Sequence, residues 1–69
     1  MKLSARNVLK GTIKAIDVGA VNVDVVVEVA PGLAVSAIIT KKSCQNLELE
    51  VGKQVYAVVK ATNVMIGVD

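Results

Sequence analysis

Apolar and polar residues alternate with a period of two along most of the chain. Leu9, Gly11, Ile13 and Ala15 are apolar or small, and Lys10, Thr12 and Lys14 stand between them. Successive side chains of a strand face opposite sides of a sheet, so the pattern predicts a half-buried strand over 9–15. From Val21 to Val29 every odd position is valine, with Asn22, Asp24, Val26 and Glu28 between them. This is the clearest strand in the chain. Asp17-Val18-Gly19-Ala20 is expected to turn, Gly19 supplying backbone angles that other residues avoid. Pro31-Gly32 marks the next turn. Leu33, Val35, Ala37 and Ile39 then alternate with Ala34, Ser36, Ile38 and Thr40, which predicts a third strand.

After Thr40 the period changes. From Thr40 or Lys41 onward the chain reads as a short helix through Asn46, with Thr40 as N-cap, and Cys44 and Leu47, three apart, are its expected apolar face. Gly52 ends the connection. Gln54 to Lys60 is a fourth strand with Val55, Ala57 and Val59 on one face. Thr62-Asn63 is a turn, and Val64 to Val68 a fifth strand. The expected fold class is all-β: a five-stranded OB-like small barrel, one domain over 1–69, with one short helix between strands 3 and 4. Barrel closure would remove the free strand edges. Ile16, Val18, Val26, Ile38, Tyr56 and Val58 fall on the second face and are candidates for subunit contacts.

Composition sharpens that last point. The chain has 69 residues, 54% of them hydrophobic and 15 of them valine, and a mean hydropathy of +0.61. A chain this short has a marginal interior, so an oligomer is expected. With no histidine and one cysteine, Cys44, zinc fingers, disulfide frameworks and Ser-His or Cys-His catalysis are excluded, and no enzyme is expected. No apolar run reaches 18 residues and no apolar leader opens the chain, so the expectation is a cytoplasmic protein without a membrane partner. A net charge of +2 permits an anionic ligand without demanding nucleic acid. The alternative of an OB-like nucleic-acid-binding module meets a shortage of stacking platforms, since Tyr56 is the one aromatic residue. The other alternative, a purely structural oligomerisation domain, predicts no anion binding.

Three segments concentrate hydrogen-bond donors. Ser4-Ala5-Arg6-Asn7 offers a hydroxyl, a guanidinium fork, an amide and backbone N–H groups. Thr40-Lys41-Lys42-Ser43 lies at the expected helix start, where free N–H groups favour anions. Lys60 ends the fourth strand ahead of Ala61-Thr62-Asn63. Each segment also reads as plain structure: a solvated strand end, a capped helix start and an exposed strand-end lysine. No carboxylate lies in any of the three. The glycines at 11, 19, 32, 52 and 67 have neither of the spacings that make a phosphate loop.

Ser4-Ala5-Arg6-Asn7 followed by Val8-Leu9-Lys10-Gly11-Thr12-Ile13 resembles the opening of the Mop-type (TOBE-type) molybdate-binding domain. The resemblance continues through Gly19-Ala20-Val21-Asn22-Val23, Ser36 to Ser43, Leu47 to Lys53 and Val55 to Asp69, in order and over essentially the whole chain. It is closest to single-domain members of that family, the molbindins. The resemblance implies an OB-like barrel and a homohexamer built as a trimer of dimers. It implies molybdate or tungstate as the bound ligand at subunit interfaces, with no organic cofactor. Carried over by motif, Ser4, Ala5 (backbone) and Arg6 form one side of the site. Thr40, Ser43, Lys60 and Ala61 (backbone) complete it, from a neighbouring chain. A second anion site near a symmetry axis would use Gly19, Ala20, Val21 and Asn22. Molybdate is a tetrahedral dianion with acceptor oxygens only, so donors and cations without carboxylates suit it.

Overall fold

Backbone hydrogen bonds join four strands into one antiparallel sheet in the computed structural model, which describes residues 4–69. The strands are β1 (Asn7–Val18), β2 (Asn22–Ala30), β3 (Leu33–Thr40) and β4 (Gln54–Val59), and the helix α1 (Lys41–Asn46) connects β3 to β4. The order across the sheet is β3-β2-β1-β4. The two outer strands face each other across an apolar cleft of about 510 Å³, lined by Val35, Ala37 and Ile39 of β3 and by Val55 and Ala57 of β4. The sheet therefore curls into a half-barrel whose seam lies between β3 and β4.

The expected five strands are four. Val64 to Val68 forms no strand. A 3-10 turn over Ala61–Asn63 follows β4, and beyond it Met65, Ile66 and Val68 are 91%, 89% and 93% exposed. A period-two sequence specifies which side chains share a face, but a strand also needs a neighbouring edge to exchange hydrogen bonds with. The 3-10 turn leads the chain off the end of β4, and the segment meets no such edge.

Ile13, Val23, Val25 and Val27 are buried, with Ile16, Val29, Ile39, Cys44, Leu49 and Val55 packed against them. Alternation on β2 accounts for three of the four buried residues. On β1 the alternation breaks. Ile13 pairs with Val27 but Ala15 with Val26, so Lys14 is an extra residue in a β-bulge. Past the bulge the parity reverses: Ile16 turns to the core and Ala15 is exposed. The expectation that Ile16 lies on the outer face is corrected for this reason. Gly11 sits where β1 crosses close to β2, since a Cβ there would lie 2.6 Å from the carbonyl oxygen of Glu28.

Thr40 caps α1, as expected. Leu47 does not form the apolar face of the helix. It is the C-cap residue and is exposed, and Leu49 packs on the core in its place, its N–H donating to the Cys44 carbonyl at 3.2 Å. Lys53 ties down the loop that makes this possible. Its Nζ donates to the carbonyls of Leu47 at 2.8 Å and Glu48 at 3.1 Å, at the end of the helix where cations are favoured. Four buried side chains, each worth about 1.5–3 kcal/mol at full burial, make a small core. Ile38, Tyr56 and Val58 on the outer face remain exposed, Ile38 at 72%, whereas the bulge turns Val18, opposite the buried Val23, to the same face as Ile16, exposed at the end of the strand.

Candidate anion-binding site

β1 begins opposite the end of β4, Asn7 pairing with Val59. The residues before β1 and after β4 are therefore neighbours, although more than fifty positions separate them in the sequence. Ser4, Ala5 and Arg6 line one side of an open cleft of about 490 Å³, and Lys60, Ala61 and Thr62 line it with Val58. Both groups adjoin the last pair between β1 and β4, Asn7 with Val59, which anchors them at one end of the sheet. The lining holds two cations and two hydroxyls and no carboxylate. Arg6 offers a planar fork of donors and Lys60 a compact point charge. Such a lining is suited in charge and hydrogen bonding to an anion.

The second donor cluster lies elsewhere. Thr40 Oγ1 accepts the Ser43 N–H at 3.0 Å and donates to Ser43 Oγ at 2.8 Å. The Lys41 N–H donates to the Val21 carbonyl at 2.9 Å, and Asn22 pairs with Thr40. Thr40 and Ser43 thus sit beside the Gly19–Asn22 turn, at the far end of β1 from the cleft. β1 has 12 residues, and at about 3.3 Å each they hold the two clusters well apart. The fold joins Ser4, Ala5 and Arg6 to Lys60 and Ala61, and it does not bring Thr40 or Ser43 to them within one chain.

Gly19 and Thr62 differ from what their sequence positions predict. The backbone of Gly19 is not left-handed; the glycine serves instead for space, because a Cβ would lie 2.9 Å from the Asn22 carbonyl oxygen that its own N–H reaches at 2.9 Å. Thr62 lines the cleft and was not among the expected site residues. Its signal was its place two residues after Lys60, which the reading of Thr62-Asn63 as a simple turn passed over.

The model of the TOBE domain family matches residues 3–66 of the chain. The chain belongs to the TOBE domain family. Over its full length this TOBE domain is similar to a probable molybdenum-pterin-binding protein of Haemophilus influenzae, 45% identical over 69 residues that span all of both chains. Its fold is similar to that of MopII from Clostridium pasteurianum, with a TM-score of 0.91 and 40% identity covering 97% of this chain and 100% of that one. It is also similar to the cytoplasmic molybdate-binding protein ModG solved with molybdate bound, with a TM-score of 0.94 and 42% identity. That match covers 100% of this TOBE domain and 49% of the ModG chain. The Mop-type resemblance read from the sequence segments therefore extends through the whole three-dimensional fold.

Proposed function

We propose that this protein binds molybdate, or the near-identical tungstate, at interfaces between its own copies and so stores and buffers molybdenum in the cytoplasm. The observation that carries this reading is the cleft of Ser4, Arg6 and Lys60, whose two cations and hydroxyl face a common space without a carboxylate. A tetrahedral dianion there is neutralised in charge and met by charge-assisted hydrogen bonds. The relatives named for molybdenum-pterin or molybdate binding support the choice of anion.

The separation of the two donor clusters supports an intermolecular site. The cleft takes Ser4, the Ala5 backbone, Arg6, Lys60 and the Ala61 backbone from one copy, and Thr40 and Ser43 reach it from a neighbour. Gly19, Ala20, Val21 and Asn22, beside Thr40, are the proposed second anion position. There the Gly19 N–H is already committed to Asn22, which leaves the donors of the following residues. The exposed outer-face residues Ile38, Tyr56 and Val58 offer apolar surface for subunit contacts, in keeping with a homohexamer arranged as a trimer of dimers. A ligand that touches two chains also strengthens their contact by mass action, by about 2.7 kcal/mol at a hundredfold excess over Kd.

Native mass spectrometry of the purified protein, titrated with molybdate against excess sulfate, tests assembly and ligand together. The expected result is a hexamer that gains molybdate and ignores sulfate. Equilibrium dialysis that retains neither molybdenum nor tungsten would overturn the reading.

A further inference from the structure

We infer that Thr62 is a direct oxyanion ligand of the cleft, donating its Oγ1 hydroxyl to the same anion that Arg6 and Lys60 neutralise. The inference deepens the molybdate reading and rests on it. Thr62 lines the cleft with Ser4, Arg6 and Lys60. It sits in the middle of the 3-10 turn that follows Lys60, and the Asn63 N–H closes that turn onto the Lys60 carbonyl at 2.9 Å. The turn is thereby held to the end of β4, and Thr62 is held beside Lys60. Among the described residues the side-chain hydrogen bonds engage Thr40, Ser43 and Lys53, not Thr62. Thr40, by contrast, spends its hydroxyl on Ser43.

The chemistry is specific. A tetrahedral dianion carries four acceptor oxygens and no donor. Arg6 and Lys60 supply the charge, and a hydroxyl proton completes an oxygen that neither cation covers. Threonine suits the position because its hydroxyl can rotate to the acceptor while its methyl stiffens χ1. Loss of one hydrogen bond to a charged partner weakens binding by about tenfold to a hundredfold.

The test is calorimetric titration of molybdate into the full-length protein and its Thr62→Val, Thr62→Ser and Arg6→Ala variants. Melting of the anion-free proteins is recorded alongside. The expected order of affinity is wild type close to Thr62→Ser, and both well above Thr62→Val, with the anion-free melting temperatures of wild type and Thr62→Ser alike. If Thr62→Val binds as wild type does while Arg6→Ala does not, the role of Thr62 falls and the molybdate reading stands. If Thr62→Ser is as weak as Thr62→Val, the methyl and not the hydroxyl matters, and the inference is overturned. If wild type itself takes up no molybdate, both readings fall. Should Thr62→Val fail to fold, Thr62→Ser against Thr62→Ala decides in the same way.

Discussion

Asp17 of β1 and Asp24 of β2 stand directly opposite each other across the antiparallel pair, both exposed. Residues in register point to the same face, and like charges in that position repel. Asp24→Thr removes the repulsion and adds a β-branched side chain suited to a strand. We expect a gain of about 0.2–1 kcal/mol in chemical denaturation. The gain should shrink as salt is raised, because exposed charges are screened. A variant no more stable than wild type at low salt would show that the two carboxylates splay apart.

Gly11 is required by space. A Cβ there would meet the Glu28 carbonyl oxygen at 2.6 Å and Val27 Cγ1 at 2.7 Å. Because the first of these is backbone, β1 and β2 must separate to admit any side chain. Gly11→Ala is expected to destabilise the fold by about 1–3 kcal/mol, seen as a lower midpoint in urea. An unchanged midpoint would refute the close approach.

Thr40 caps α1 through its contact with the Ser43 N–H. Thr40→Ala should cost about 1 kcal/mol and Thr40→Ser much less. A helix of six residues has little stability of its own, so amide exchange over 41–46 should quicken in the alanine variant alone.

Arg6 carries the charge on one side of the proposed molybdate site. In a thermal-shift titration, molybdate should raise the melting temperature of wild type and do so much less for Arg6→Ala. Equal stabilisation of the two proteins would remove Arg6 from the ligand set.

Ile38 projects from the outer face and is largely exposed in the single chain. Ile38→Lys leaves the core residues untouched and places a cation opposite Asp24, not a third carboxylate beside Asp17 and Asp24. It should therefore keep its strand content by circular dichroism and yet elute smaller than wild type in size-exclusion chromatography with light scattering. A variant of unchanged size would place the subunit contacts away from this face.

Much of the fold was legible because burial on β2 follows alternation. Val23, Val25 and Val27 needed only a period of two to be found, and β3 and the Thr40 cap were equally local. The reading went wrong where the answer depended on a distant partner. The bulge at Lys14 exists only relative to β2, so Ile16 was assigned to the outer face. The Val64–Val68 segment has the alternation of a strand, but no property of those five residues reveals whether an edge is waiting for them. The cleft shows the same division. Ser4, Arg6 and Lys60 stood out as donor-rich positions, and their meeting follows from the pairing of Asn7 with Val59, which joins opposite ends of the sequence. Thr62 was overlooked because a hydroxyl inside a turn has an ordinary local explanation.

The bulge gives β1 a tolerance of length that its composition hides. Ile13 and Ala15 already pair with consecutive residues of β2, Val27 and Val26. Loss of the single codon for Lys14 would therefore restore simple alternation through the strand, with the methyl of Ala15 still outward and Ile16 still inward. Loss of one codon from a regularly paired stretch, such as that for Asp24, would instead turn buried valines outward, and should be far more harmful.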